Sequence, residues 1–209
     1  MTTTTLPVRR DPAIVAAGST AYDLVLVGGV PGAGKTTAIA RATDDLHDVL
    51  AIDPEHVSWW LRRRLPASVP YRAYRWLVHL LHTLRVLVHL IDGPTPGRRL
   101  VVHDPGTRRR RRSLFLTLAH LAGWRPVNVY VDVDRAAAQD GQLRRGRVVR
   151  SFDEHWDSWQ ALRPVLRADA DTARDPVLLV ERAEAASVLR DLCRPQPLAA
   201  LPAYGSQAR

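Results

Sequence analysis

Short apolar segments alternate with helical segments along most of this chain, and this alternation predicts a doubly wound α/β fold with a parallel sheet. The apolar segments are near-continuous runs rather than alternating patterns, as expected for strands covered by helices on both faces. The size also fits one such domain, because the chain has 209 residues, of which 46% are hydrophobic and 24% charged.

The five predicted strands are short and apolar, and Gly28 and Gly29 end the first of them. They span residues 22–27, 49–52, 100–103, 127–131 and 176–180. In sheets of this kind ligands bind beyond the carboxyl ends of the strands, so the residues that follow each strand are the candidates for a site.

Helices are predicted between the strands, and the breaker stretch 66–70 separates two of them. They span residues 34–46, 55–64, 71–91, 109–122, 134–145, 152–167 and 181–192. We expect a single domain over residues 22–193, with a flexible N-terminal arm at 1–21 and a flexible tail at 194–209.

The charge of the chain is carried almost entirely by arginine on the basic side. There are 30 basic and 21 acidic residues, a net charge of +9, yet Lys35 is the only lysine. A cluster of arginines therefore means little here, whereas a lysine marks a place where a compact ammonium is needed. One cysteine excludes an internal disulfide and a cysteine-rich zinc site, and we find no secretory signal or convincing membrane span, so we expect a cytoplasmic protein.

One motif follows the first predicted strand directly. Residues 29–36 match the pattern G-x-x-x-x-G-K-[ST], in which glycines let backbone N–H groups curl around phosphate oxygens. The lysine of this motif reaches the β- and γ-phosphates, and the hydroxyl of the next residue binds Mg²⁺. A glycine-rich turn with an exposed lysine is the alternative, but the only lysine of the chain falls on the motif position. The predicted site for a nucleoside triphosphate comprises Gly29, Val30, Pro31, Gly32, Ala33, Gly34, Lys35, Thr36 and Thr37.

The order of motifs resembles the P-loop kinase branch that includes polynucleotide 5′-hydroxyl kinases, zeta-toxin-like kinases and small AAA-family ATP-binding proteins. The likeness covers about residues 22–185, and the phosphate loop is its most specific part. It implies a P-loop NTPase fold, a three-layer α/β/α sandwich with strand order 2-3-1-4-5, and a helical lid within residues 134–167. The long connection 56–98 is expected to form a helical cap on the acceptor side.

The resemblance also implies roles for acidic residues after the second and third strands. Glu55 matches the position of the general base and Asp53 that of the first acid, but glutamate replaces the commoner aspartate, so the roles of the two stay open. Either residue can instead cap the next helix, because a proline lies between them. Asp104 matches the acid that holds Mg²⁺ through water together with Thr36, although Asp-Pro-Gly is also a good turn.

Arginines complete the implied site. Arg144 and Arg147 lie in the implied lid, where arginines stabilise the charge that develops on the γ-phosphate. One of Arg111 and Arg112 is implied to contact substrate, and the alternative is that the run 108–112 is a solvated helix face. We expect His103 to be packed or hydrogen-bonded, and Trp59, Trp60, Trp76, Trp156 and Trp159 to be packed.

These features predict an ATP- and Mg²⁺-dependent kinase that transfers the γ-phosphate to a hydroxyl group. The apolar character of helix 71–91 suits a closed pocket, which favours a small-molecule or nucleotide-like acceptor over nucleic acid. A polynucleotide 5′-hydroxyl kinase and a nucleotide-switched regulatory ATPase are the alternatives. No membrane partner is expected, and the sequence makes no prediction of oligomeric state.

Overall fold

A five-stranded parallel sheet lies at the centre of the structure, a computed structural model that describes residues 22–104, 109–144, 152–169 and 175–194. The strand order is β2-β3-β1-β4-β5, which confirms the P-loop NTPase fold and the order implied by the resemblance. The strand ends differ from the predicted ones by at most two residues. The strands are β1 (Leu24–Gly28), β2 (Val49–Ile52), β3 (Arg99–His103), β4 (Pro126–Asp132) and β5 (Val177–Glu181).

Helices connect the strands and cover the sheet on both sides. No helix within the described ranges is long and apolar enough to cross a bilayer. The predicted arm, and the predicted tail apart from Arg194, lie outside the described residues. The helices are α1 (Lys35–Thr43), α2 (Pro54–Arg62), α3 (Tyr71–Asp92), α4 (Arg109–Leu121), α5 (Arg135–Leu143), α6 (Phe152–Asp169) and α7 (Arg182–Cys193).

The two faces of the sheet carry separate cores because successive side chains of a strand point to opposite sides. Leu24 and Leu26 of β1 pack on one face with Val86 of α3 and Phe115 of α4. Val25, Val27 and the neighbouring valines of β3 and β4 pack on the other face with residues of α1 and α7. Every residue of β1 is thus buried, which explains why its sequence is apolar without interruption.

The prediction that five tryptophans pack is right for two of them. Trp156 and Trp159 on α6 are buried, as expected. Trp59, Trp60 and Trp76 are exposed, and the expectation that they pack is wrong. Trp59 and Trp60 lie on α2 beside a cleft between α2 and α3, and Trp76 lies on the exposed side of α3.

Candidate functional site

The loop between β1 and α1 is built on glycines in a left-handed backbone conformation. The φ angles of Gly29, Gly32 and Gly34 are 134°, 85° and 95°, values that residues with a side chain rarely adopt. The Lys35 Nζ donates hydrogen bonds of 2.8 Å to the carbonyl oxygens of Gly29 and Val30. The buried ammonium and the N-terminus of α1 thus both lie at the loop, and this combination fits a phosphate group.

Helix α5 packs directly on the backbone of this loop. A Cβ atom added at Gly32 would lie 2.0 Å from the carbonyl oxygen of Ala138, and one added at Gly141 would lie 2.2 Å from the carbonyl oxygen of Gly32. Both positions therefore require glycine. A side chain at either glycine would force the loop and α5 apart.

An arginine that the sequence analysis did not select joins the same parts of the site. Arg182, the first residue of α7, donates from Nε to the Ala33 oxygen at 3.1 Å and from Nη2 to the Gly32 oxygen at 2.5 Å. The same Nη2 donates to the Ala137 oxygen of α5 at 2.9 Å. Arg182 thus fixes the outer side of the phosphate loop to α5.

Asp53, which follows β2, makes two contacts with its carboxylate. Oδ1 accepts the Glu55 N–H at 2.7 Å and so caps α2, while Oδ2 accepts from His103 Nδ1 at 2.7 Å. The Thr36 hydroxyl lies 3.4 Å from the same His103 nitrogen. Capping and participation in the site, the two interpretations of Asp53, are therefore compatible. His103 is hydrogen-bonded, as expected.

The pKa values of Asp53 and His103, the two partners of this hydrogen bond, are both lowered, but for different reasons. Burial opposes ionisation of Asp53, but the hydrogen bonds from His103 and from the Glu55 N–H outweigh it and hold the Asp53 pKa below its ordinary value. Burial lowers the pKa of His103, although Asp53 opposes this shift. A carboxylate with a lowered pKa is a poor acceptor of a proton but a good fixed anion.

His82 of α3 forms a hydrogen bond with the backbone of His103. Its Nε2 lies 3.0 Å from the His103 carbonyl oxygen, to which it donates, and its Nδ1 is buried with no hydrogen-bond partner among the described residues. Burial lowers the pKa of His82 to about 3, and the neighbouring His103 and Arg111 act in the same direction. The folded protein therefore holds His82 neutral.

This burial predicts a loss of stability in mild acid. The pKa of His82 lies below the unfolded value of about 6.5, so the unfolded chain binds more protons between about pH 3 and 6.5. The contribution of His82 is complete above pH 6.5 and decreases as the pH falls. Between pH 7.5 and 5 we expect His82 to account for a loss of about 2 kcal/mol in the free energy of unfolding, measured with urea.

The matched variants for this prediction are His82→Gln, which keeps a donor for the His103 carbonyl, and His47→Gln at an exposed position. His82→Gln should make the pH dependence shallower by about 2 kcal/mol over this range, while the part due to His103 remains, and His47→Gln should leave it as in the wild type. Equal slopes for His82→Gln and the wild type would contradict the assignment.

Asp104 follows β3, donates its backbone N–H to the Val27 oxygen of β1, and is buried. Its Oδ1 accepts from Nε and Nη2 of Arg111 at 3.0 and 2.5 Å. Arg112 donates to the hydroxyl of Tyr130, whereas Arg110 is exposed to solvent. Of the three arginine side chains of the run that the structure describes, two are thus turned towards the sheet and one is turned away, while Arg108 and the side chain of Arg109 lie outside the described part.

The lid arginines are located only in part. Arg144 is 79% exposed and pairs with Asp140 of α5, with 2.9 Å between Nε and Oδ2. Arg147 lies outside the described residues. Their predicted contact with a γ-phosphate therefore stays a prediction.

A cleft of about 690 Å³ opens between α2 and α3. Glu55 lines it, while Asp53, two residues earlier, does not. Most of the lining surface is apolar, and one guanidinium supplies a positive charge. The lining residues are Glu55, His56, Val57, Trp59, Trp60, Leu81 and Arg85.

Comparison with known proteins places this geometry in a family. Residues 24–166 match the model of the family described as AAA domain. Among curated proteins, no sequence matches this chain significantly.

Several solved structures share the fold. A structure of the PezAT toxin–antitoxin system of Streptococcus pneumoniae is 15% identical, with 90% of this chain and 89% of that chain covered and a TM-score of 0.55. Shikimate kinase from Acinetobacter baumannii is 17% identical, with 85% and 94% covered and a TM-score of 0.50. The tunicamycin resistance protein of Deinococcus radiodurans is 13% identical, with 82% and 93% covered and a TM-score of 0.50. At these identities the likeness concerns the fold alone.

Proposed function

The chain belongs to the AAA domain family, whose model covers residues 24–166, and from this premise we propose that it is a P-loop phosphotransferase acting on a small hydroxylated molecule. The observation that carries the proposal is the position of Glu55. Its neighbour Asp53 is bonded to His103 beside the phosphate loop, while Glu55 itself lines the cleft between α2 and α3. A phosphate site and an acceptor cleft are thus joined through one short segment of chain.

The nucleotide in this proposal is ATP with Mg²⁺. Residues Gly29–Thr37 would hold its phosphates, with Lys35 moving from the loop carbonyls to the β- and γ-oxygens. Thr36 would bind the metal directly and Asp104 would hold it through water, because hydroxyl and carboxylate oxygens are the ligands that Mg²⁺ prefers. The bound metal would neutralise charge on the phosphates. Arg111 donates a hydrogen bond to Asp104, so its side chain can shift when the bound metal changes the charge near Asp104.

We assign the general base to Glu55 and a positioning role to Asp53. Asp53 is buried, caps α2 and has a lowered pKa, all of which suit a fixed anion. Glu55 lines the cleft in which an acceptor hydroxyl would lie. The hydroxyl oxygen attacks the γ-phosphorus, the bond to the β-phosphate oxygen breaks, ADP leaves, and the hydroxyl proton passes to Glu55. Arg144 and Arg147 would stabilise the charge on the transferred group from the lid.

The cleft lining supports an acceptor with a flat apolar part and an anionic group. The indole rings of Trp59 and Trp60 line one wall, and Arg85 offers a cation on the opposite wall. A sugar phosphate lacks the flat apolar part, whereas an aromatic or nucleoside-like acid has both features. We therefore expect acceptors of the second kind.

A polynucleotide end is the second candidate, and one observation favours it. The guanidinium carbons of Arg63 and Arg64 lie 4.7 and 4.0 Å from the ring centres of Trp59 and Trp60, and such exposed pairs can stack bases. Against it, Arg111 and Arg112 turn towards the sheet, so they do not extend a basic track from the cleft.

The function is tested with γ-labelled ATP, Mg²⁺ and two separate acceptor pools, one of small hydroxylated acids and one of oligonucleotides with 5′-hydroxyl ends. We expect label in the small-molecule pool. Label only on oligonucleotide ends, with binding that weakens steeply as salt rises, would establish the second candidate instead. Release of free phosphate alone from both pools would support a regulatory ATPase.

Glu55→Gln is expected to lower the rate of transfer about 10²- to 10⁴-fold, because it removes the base but keeps the shape of the side chain. Nucleotide affinity, measured by calorimetry, should not change. Glu154→Gln on the exposed side of α6 is the matched control and should transfer at the wild-type rate. Unaltered transfer by Glu55→Gln would remove Glu55 from the mechanism.

A further inference from the structure

The outer side of α3 carries a continuous apolar ridge. Residues four apart in a helix form such a ridge, and here one row runs the length of α3 with every member exposed. The buried row of the same helix, Tyr74 to Leu90, faces the rest of the domain. The exposed row, here called the α3 ridge, consists of Arg72, Trp76, Leu80, Leu84, Val88 and Asp92.

The four central side chains of the α3 ridge are 46–64% exposed, although all four are large and apolar. Polar or charged residues are the usual occupants of the solvent side of a surface helix. These four side chains extend over about 18 Å of helix, since each residue adds about 1.5 Å. A contiguous apolar surface of this kind marks an interaction site. None of the described residues covers it.

The α3 ridge is complementary to itself when it is reversed. If a two-fold axis passes midway between Leu80 and Leu84, Leu80 of one copy lies opposite Leu84 of the other. The large Trp76 then lies opposite the smaller Val88 of the other copy. At the ends, the basic Arg72 lies opposite the acidic Asp92. A two-fold interface requires this property, because each surface meets its own copy in the reverse direction.

We propose that the chain forms a homodimer through antiparallel packing of two α3 ridges. Rows of residues four apart from both helices interdigitate when the helices cross at about 50°, the commonest helix packing in globular proteins. In this arrangement the apolar centre is buried and the oppositely charged ends of the two ridges meet at the rim. The pairing of Arg72 with Asp92 favours a second copy over a lipid surface, because an anionic lipid surface does not attract the acidic Asp92.

The reversed arrangement is tested by exchange of the charges at the two ends. Arg72→Asp and Asp92→Arg should each weaken the dimer about three- to tenfold, because each places like charges together twice. The double variant Arg72→Asp/Asp92→Arg should return the dissociation constant to within about twofold of the wild type. Sedimentation of the full chain over a range of concentrations measures these constants.

The apolar centre is tested by two identical substitutions. Val88→Glu within the α3 ridge should leave a folded monomer, whereas Val165→Glu at an exposed position of α6 should remain dimeric. A wild-type chain that is monomeric at all concentrations, or a dimer indifferent to Val88→Glu, would overturn the proposal. Failure of the double charge variant to recover would overturn the antiparallel arrangement. Binding of a monomer to anionic lipid vesicles, lost in Val88→Glu, would assign the α3 ridge to a membrane surface instead.

Discussion

Lys35→Ala is expected to lower the rate of phosphoryl transfer by about 10²- to 10³-fold, the effect of removing one charged group from developing phosphate charge. Lys35 is the only lysine of the chain and lies buried across the phosphate loop. Lys35→Arg should fail in a similar way, because a planar guanidinium is larger than the ammonium that the loop encloses. The measurement is label transfer from γ-labelled ATP at saturating nucleotide.

The control is Arg41→Ala, which removes a cation from the exposed last turn of the same helix α1. It should keep full activity. Because Lys35 also donates to two loop carbonyls, urea unfolding must show that Lys35→Ala remains folded under the assay conditions. A folded Lys35→Ala protein with wild-type transfer would exclude the phosphate loop from the reaction.

Gly32→Ala is expected to destabilise the fold and abolish nucleotide binding together. The left-handed φ of 85° costs about 1–2 kcal/mol for any residue with a side chain. The added Cβ would also lie 2.0 Å from the Ala138 oxygen, so α5 must move away from the loop. We expect a total loss of about 3–5 kcal/mol in the free energy of unfolding.

Gly123→Ala separates the two contributions, since Gly123 has the same φ of 85° with no atom near its Cβ position. It should lose only the conformational part, about 1–2 kcal/mol, and keep nucleotide affinity. Urea unfolding measures the free energy of unfolding of both variants, and nucleotide titration measures their affinity for nucleotide. If Gly32→Ala and Gly123→Ala lost the same free energy of unfolding, the close contact between α5 and the loop would contribute nothing to stability.

The strands and the phosphate loop could be predicted because their signals are local. Each strand is a short apolar run, since helices cover the sheet on both faces. The residues of the loop are contiguous, and each residue type has its own reason to be there. The positions of Asp53 and Asp104 are implied by the family resemblance, and they agree with the general rule that the carboxyl ends of parallel strands meet at one edge.

Contacts between distant parts of the chain gave no such signal. Arg182 is 149 residues from Ala33, and in an arginine-rich chain nothing marks it as different from the others. Gly141 did carry a signal, since a glycine within a helix often has a packing reason, but the partner at Gly32 is not visible in the sequence. In α3 the apolar residues surround the helix, and this pattern does not tell which side is left uncovered.

The most direct test of the proposed function follows the γ-phosphate of ATP to its destination. One reaction with wild-type protein, Mg²⁺ and the pool of small hydroxylated acids is divided into acceptor-bound label and inorganic phosphate. We expect most of the label on an acceptor that carries a flat apolar part and an anionic group, and transfer about 10²- to 10³-fold slower in the same reaction with Lys35→Ala. Label recovered only as inorganic phosphate, at a rate that Lys35→Ala leaves unchanged, would contradict the assignment as a phosphotransferase.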